Sequence, residues 1–93
     1  MELQEYLTND YKVYVDVNAD HMADGTILPR TFVWEDGRRF EVDSVQDVRP
    51  AASLRAGGVG LRYTVLVRNK PTYMFLEEDN GVARWFMERK EKK

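Results

Sequence analysis

The residues able to do chemistry in this sequence are few, and most lack the company their chemistry needs. The only histidine, His21, stands beside Asp20 and close to Asp24, and there is no cysteine. A histidine among carboxylates can bind a metal or move a proton. A zinc site needs more nitrogen or sulfur ligands than this chain offers, so His21 reads as a solvated loop histidine. Asp16-Val17-Asn18-Ala19-Asp20 begins like a calcium loop. Its sixth and twelfth positions hold His21 and Ile27, where glycine and glutamate are required. Ser53 lies among arginines and glycines, but a serine nucleophile needs a base and an oxyanion hole, and nothing brings His21 to it. The expectation is therefore no metal, no cofactor, no catalytic residue and no enzymatic activity.

The stretch with the most to offer is basic and rich in small residues. Residues 49–62 read RPAASLRAGGVGLR, and no acidic residue occurs from Val48 to Leu76. Arg49, Arg55, Arg62, Arg68 and Lys70 fall within that span. Successive N–H groups in a glycine-rich turn form an anion nest, and arginine forks bind phosphate through two parallel bonds. Neither a P-loop ending nor a dinucleotide fingerprint is present. Arg49, Ser53, Arg55, Gly57, Gly58, Arg62 and Arg68 are thus the expected contacts for an anion or a nucleic acid. The bland reading of the same residues is a flexible connection that lets a sheet bend, with basic strands neutralised by acidic neighbours.

The charge is uneven along the chain. Residues 1–47 hold 11 acidic and 4 basic residues, and residues 48–93 hold 5 and 10, for a net charge of −2. Such asymmetry raises the expectation of an anionic partner, while the net acidity works against nucleic acid.

These side chains must be held by strands. Tyr11, Val13, Val15 and Val17 alternate with Lys12, Tyr14, Asp16 and Asn18, a half-buried strand pattern. A second strand occupies 26–35, with Pro29 marking a start, an edge or a bulge. Asp36-Gly37 predicts a hairpin into a strand carrying Phe40 and Val42. The apolar phase slips between Val42 and Val45, which predicts a bulge or bend near Asp43-Ser44. Residues 49–60 read as a loop or a short helical turn near 50–56, with Pro50 opening it and Gly57-Gly58 closing it. Leu61, Tyr63, Val65 and Val67 face inward on the next strand, and Asn69-Lys70-Pro71 turns the chain. Strands at 72–77 and 83–88 follow, joined by Asp79-Asn80-Gly81.

Six short strands with no long helical pattern predict an all-β fold. An open sheet would leave an apolar face wet, so the chain must curl. The expected architecture is a small, strongly bent barrel of five to six mainly antiparallel strands, spanning residues 11–88 as one domain. Residues 1–10 form a leader or short helix, and 89–93 a charged tail. Ninety-three residues leave no room for a second core.

The segment Phe32-Val33-Trp34-Glu35-Asp36-Gly37-Arg38-Arg39-Phe40-Glu41-Val42, with Arg62-Tyr63, Thr72-Tyr73 and Arg84-Trp85-Phe86, resembles a group of small β-rich bacterial proteins of Gram-positive source. Their shared feature is a Trp-x-x-Gly-Arg-Arg-aromatic hairpin, and no activity is established for the group. The resemblance covers roughly residues 11–88 and implies the fold more than the function. Some members of a similar family are encoded near translesion DNA polymerases, which implies work on nucleic acid.

The apolar runs are far too short to span a bilayer, and no signal-peptide pattern opens the sequence, so the expected setting is the cytoplasm with no membrane partner. Tyr14, Val33, Met74, Leu76 and Phe86 fall on the strand faces opposite the main apolar set. That predicts a second apolar patch which binds a protein partner or another copy of the chain. The leading expectation is a non-catalytic interaction module. The alternative is a nucleic-acid-binding accessory domain that contacts phosphates through residues 49–68.

Overall fold

The computed structural model describes residues 12–52, 59–79 and 81–89. The expected leader at 1–10, most of the tail, and Ser53, Arg55, Gly57 and Gly58 lie outside the described residues. The described chain is all-β, with seven strands: β1 (Lys12–His21), β2 (Ile27–Val33), β3 (Arg39–Glu41), β4 (Ser44–Ala52), β5 (Val59–Val67), β6 (Lys70–Asp79) and β7 (Val82–Glu88). They form one sheet in the order β3-β2-β1-β7-β6-β5-β4, and every neighbouring pair is antiparallel.

The two outermost strands, β3 and β4, are consecutive in sequence. Glu41 and Ser44 are three residues apart, so their Cα atoms lie within about 11 Å of each other. Opposite edges of a seven-stranded sheet meet that limit only if the sheet curls. The backbone bonds show how. Val42 N–H donates to the Arg30 carbonyl on β2, while Asp43 N–H donates to the Leu66 carbonyl on β5, both at 2.8 Å. One strand thus leaves one edge and joins the other, which makes the strand count seven where the sequence pattern suggests five to six. A bulge follows between Val45 and Asp47, a step beyond the phase slip in the sequence. The bulge, Pro50, Asp47 and Arg49 all sit on the free edge of β4, where they discourage pairing with another chain.

The helical turn expected near 50–56 is not found at its start, because Pro50, Ala51 and Ala52 continue β4 and pair with Leu61, Gly60 and Val59. The chain also turns at Arg68-Asn69 rather than at 69–71. Both residues have positive φ, 51° and 67°, the two-residue turn that matches strand twist, and Lys70 and Pro71 already belong to β6. Asp36-Gly37 does close a hairpin. Gly37, at φ 89°, donates to the Trp34 carbonyl, and Asp36 Oδ1 accepts the Arg38 N–H at 3.0 Å. Pro29 is fully buried beside a bulge between β1 and β2.

The core is built from Val13, Val15, Phe32, Tyr63, Val65, Val67, Met74, Leu76 and Met87. Met74 and Leu76 therefore face inward, against the expectation that they lie on a second face. The reason is register. Tyr63 stands opposite Met74 and Leu61 opposite Leu76, and residues directly opposed across a ladder share a face. Tyr73 and Phe75 consequently point outward. Tyr63 crosses the interior, donating its hydroxyl to the Ile27 carbonyl at 2.6 Å and packing on Trp85 at 5.0 Å between ring centroids.

Candidate functional site

Among the described residues two surfaces combine aromatic and charged side chains, and the fold builds them separately. The first is the mouth of the barrel, where the β2–β3 hairpin, the Arg68-Asn69 turn and the end of β7 converge. Phe32 and Phe40 are register partners and stack at 5.4 Å with 20° between planes. They border a cavity of about 500 Å³, lined also by Trp34, Val67, Met87 and a set of polar side chains. That volume falls within the roughly 300–1,000 Å³ of small-molecule sites. Phe32, Val67 and Met87 are core residues, so its floor is apolar.

Four cations ring it: Arg38, Arg68, Lys70 and Arg89. Two are already matched. Arg38 Nε binds Asp36 Oδ2 at 2.8 Å. Arg89 grips Glu35 with two bonds of 2.8 and 2.9 Å. Asp36, its carboxyl bonded by the Arg38 backbone N–H and countered by the guanidinium, sits below the usual carboxylate range. The Arg68 and Arg38 guanidinium groups lie 4.9 and 5.3 Å from the centre of the Phe40 ring. Among the described residues neither Arg68 nor Lys70 makes a salt bridge. Arg68 holds this place from a left-handed backbone position that disfavours ordinary side chains. Thr72 and Glu88 complete the lining.

The second surface is the outer face of β1, β7, β6, β5 and β4. Register places Tyr14, Phe86, Phe75, Arg62 and Arg49 in one lateral row across five strands. Phe86 stacks on Phe75 at 4.8 Å with 5° between planes, and Tyr14 meets Phe86 edge-on at 5.9 Å. Glu77 sits next to this row and is buried, at 8% exposure. Lys12 Nζ lies 3.1 Å from one of its oxygens. The other accepts from the Tyr14 hydroxyl at 3.1 Å and from Arg84 at 3.0 Å. Burial pushes the Glu77 carboxyl up, but Lys12, Tyr14 and Arg84 together outweigh it and hold the group below its ordinary value. Arg62 lies over the exposed Tyr73 ring at 4.7 Å, and its buried Nε has no hydrogen-bond partner among the described residues.

The expected anion contacts are thus dispersed. Arg49 lies on β4, bonded to Asp47 at 2.7 Å. Arg62 is its register partner. Arg68 stands in the turn after β5, six residues beyond Arg62 and roughly 20 Å away at strand spacing, and serves the mouth instead. Of the expected interaction residues, Tyr14 is exposed and Val33 half-buried; Phe86 is buried in the outer aromatic row, and Met74 and Leu76 are in the core. Trp34, Phe40 and Arg89 were not expected at a site. The sequence signal that leads to them is the Arg68-Asn69 turn, which faces the Asp36-Gly37 hairpin.

His21 is exposed at the end of β1. Asp20 is spent on Arg30 at 2.6 Å, and Asp24 Oδ1 accepts the Thr26 N–H at 2.9 Å, a turn-forming bond that lowers the Asp24 carboxyl. Among the described residues no group of three or more metal-binding side chains converges, and no helix is long and apolar enough to cross a membrane. Comparison with protein-family models, with curated proteins and with solved structures finds no match.

Proposed function

We propose that the protein is a non-catalytic binding module whose site is the mouth of the barrel, and that it takes an organic ligand bearing an anionic group. One observation carries the reading: Arg68 and Lys70, without carboxylate partners among the described residues, stand on the rim of a cavity with an apolar floor. A ligand of this kind covers the half-buried Trp34 and Phe40 rings at the mouth and supplies the missing counter-charge. The strained turn that presents Arg68 supports the same reading, because strained backbone persists where the surroundings over-determine it and clusters at binding sites. The state of Glu77 supports a role without acid–base catalysis. It is held ionised by three donors, the reverse of a carboxyl tuned toward neutral pH.

Titration with phenyl phosphate, read by backbone amide shifts, tests this. Salt-sensitive shifts at Arg38, Arg68, Lys70 and Thr72 are expected. Shifts confined to other strands, or none at millimolar ligand, would overturn it.

A second reading rests on the outer face. Tyr14 and Tyr73 are 42% and 48% exposed and held in place by Arg84 and Arg62 above their rings. Tyrosine and arginine are the side chains that dominate protein interfaces. Glu77 pairs there with Lys12 and Arg84, and Asp47 with Arg49, so the face carries both signs of charge and a second copy of the chain can set opposite charges together across a two-fold axis. A mass that doubles with concentration in light scattering, and reverts in Tyr73→Glu, is the outcome this reading requires.

A further inference from the structure

Resting on the mouth as a binding site, we infer that its ligand is a nucleoside phosphate, either free or at the end of a single strand. The argument begins with what the site leaves unmatched. An inorganic anion would satisfy Arg68 and Lys70 but leave the half-buried Trp34 and Phe40 rings at the mouth uncovered. An apolar ligand would cover these rings and leave both cations without counter-charge. The ligand therefore has a flat apolar part and an anionic part.

The charge count narrows the anion. Arg38 and Arg89 are committed to Asp36 and Glu35, which leaves two cations. A phosphomonoester carries about −1.5 to −2 near neutral pH and matches two cations, whereas a carboxylate carries −1. The Thr72 hydroxyl on the same wall is a further donor to phosphate oxygen.

The ring partner is also present. Trp34 is half-buried, and the stacked Phe32 and Phe40 face the same space. The guanidinium groups over Phe40 extend that platform, since arginine planes stack bases as aromatic rings do. Glu88 supplies the feature that separates a nucleoside from a plain aromatic phosphate. It is the only carboxylate among the described residues lining the cavity, is exposed at the rim and makes no ion pair among the described residues, and a carboxylate accepts the hydroxyls of a ribose or the amino group of a base.

The test uses the whole chain and five probes: AMP, adenosine, phenyl phosphate, and a short thymidine oligonucleotide with and without a 5′-phosphate. Binding is followed by tryptophan fluorescence and by amide shifts at Arg38, Arg68, Lys70 and Thr72. AMP is expected to bind at least tenfold more tightly than adenosine or phenyl phosphate. Arg68→Asn keeps the turn, because asparagine tolerates its left-handed backbone, and is expected to weaken AMP about tenfold or more through the lost charge-assisted bonds. Lys70→Gln provides a second variant outside the turn, with loss in the same direction. If only the 5′-phosphorylated oligonucleotide matches AMP, the source is a strand end; if neither oligonucleotide binds, it is the free nucleotide. Phenyl phosphate binding as tightly as AMP would overturn the nucleoside inference and leave the anionic-ligand site standing. No shift at the mouth with any probe would overturn both.

Discussion

Replacing Glu77 by glutamine should be among the most damaging conservative changes in this protein. The side chains of Glu77 and Lys12 are each only 10% exposed, and their charged atoms are 3.1 Å apart. Glutamine keeps the shape and removes the charge, which leaves the Lys12 ammonium buried over Phe86 with no counter-ion. Removing one partner of a buried ion pair costs about 3–5 kcal/mol. The Arg84 bond adds little to this, since Arg84 is 44% exposed and water screens it. The lower end, about 3 kcal/mol, is the better expectation, because the Lys12 ammonium keeps its contacts with two aromatic faces. A domain of this size has roughly 5–14 kcal/mol of stability in all, so the variant should lose a large fraction of it. At about 4–8 °C per kcal/mol, Tm should fall by more than about 12 °C. Urea unfolding of the wild type, Glu77→Gln and the double variant Lys12→Met/Glu77→Leu is the assay. The double variant should recover most of the loss, since apolar side chains of similar volume replace buried ion pairs at little cost.

The pH dependence follows from the same group. The folded-state pKa of Glu77 lies below its ordinary value of 4.5. Its contribution is therefore complete above the unfolded pKa and is lost as pH falls through the folded one. Wild-type stability should drop on acidification below about pH 5, and Glu77→Gln should lack part of that drop. A Glu77→Gln variant within 0.5 kcal/mol of wild type, with an unchanged acid limb, would refute the reasoning.

Three further outcomes are expected. Met74→Ala should cost about 2–5 kcal/mol and Tyr73→Ala much less, measured by denaturant unfolding; the opposite ranking would mean that β6 faces the other way. Tyr63→Phe should cost about 1–2 kcal/mol, because the Ile27 carbonyl loses its donor, and in ultraviolet titration the Tyr63 phenol, raised by burial, should ionise above the ordinary value of 10.0. Arg68→Asn should raise stability by a few tenths to about 1 kcal/mol by relieving the left-handed arginine, so a rise in Tm together with weaker anion binding would separate the strain at this turn from its use.

Much of the fold was legible in the chain itself. The alternation of Val13 and Val15 with Tyr14 and Asp16, the Asp36-Gly37 turn and the slip after Val42 each report a local constraint that water and backbone geometry impose wherever the strand packs. β6 was not legible, because both of its alternating sets, Tyr73 with Phe75 and Met74 with Leu76, are apolar. Periodicity cannot choose between two apolar faces. The two-residue turn at Arg68-Asn69 chooses, since it pairs Val67 with Lys70 and so sets even-numbered residues of β6 opposite the inward, odd-numbered residues of β5.

The candidate site shows the same division. The basic stretch was visible, but a list of arginines carries no distances. Arg62 and Arg68 are close in sequence and far apart along an extended strand, whereas Arg68 and Phe40 are 28 positions apart and in contact. Residue types and alternation determined that this is a small all-β domain with a core on one strand face. Only the curling of the sheet through Val42 and Asp43 decided which cations share a cavity, because a site made of non-local neighbours exists only once register and curvature have been chosen.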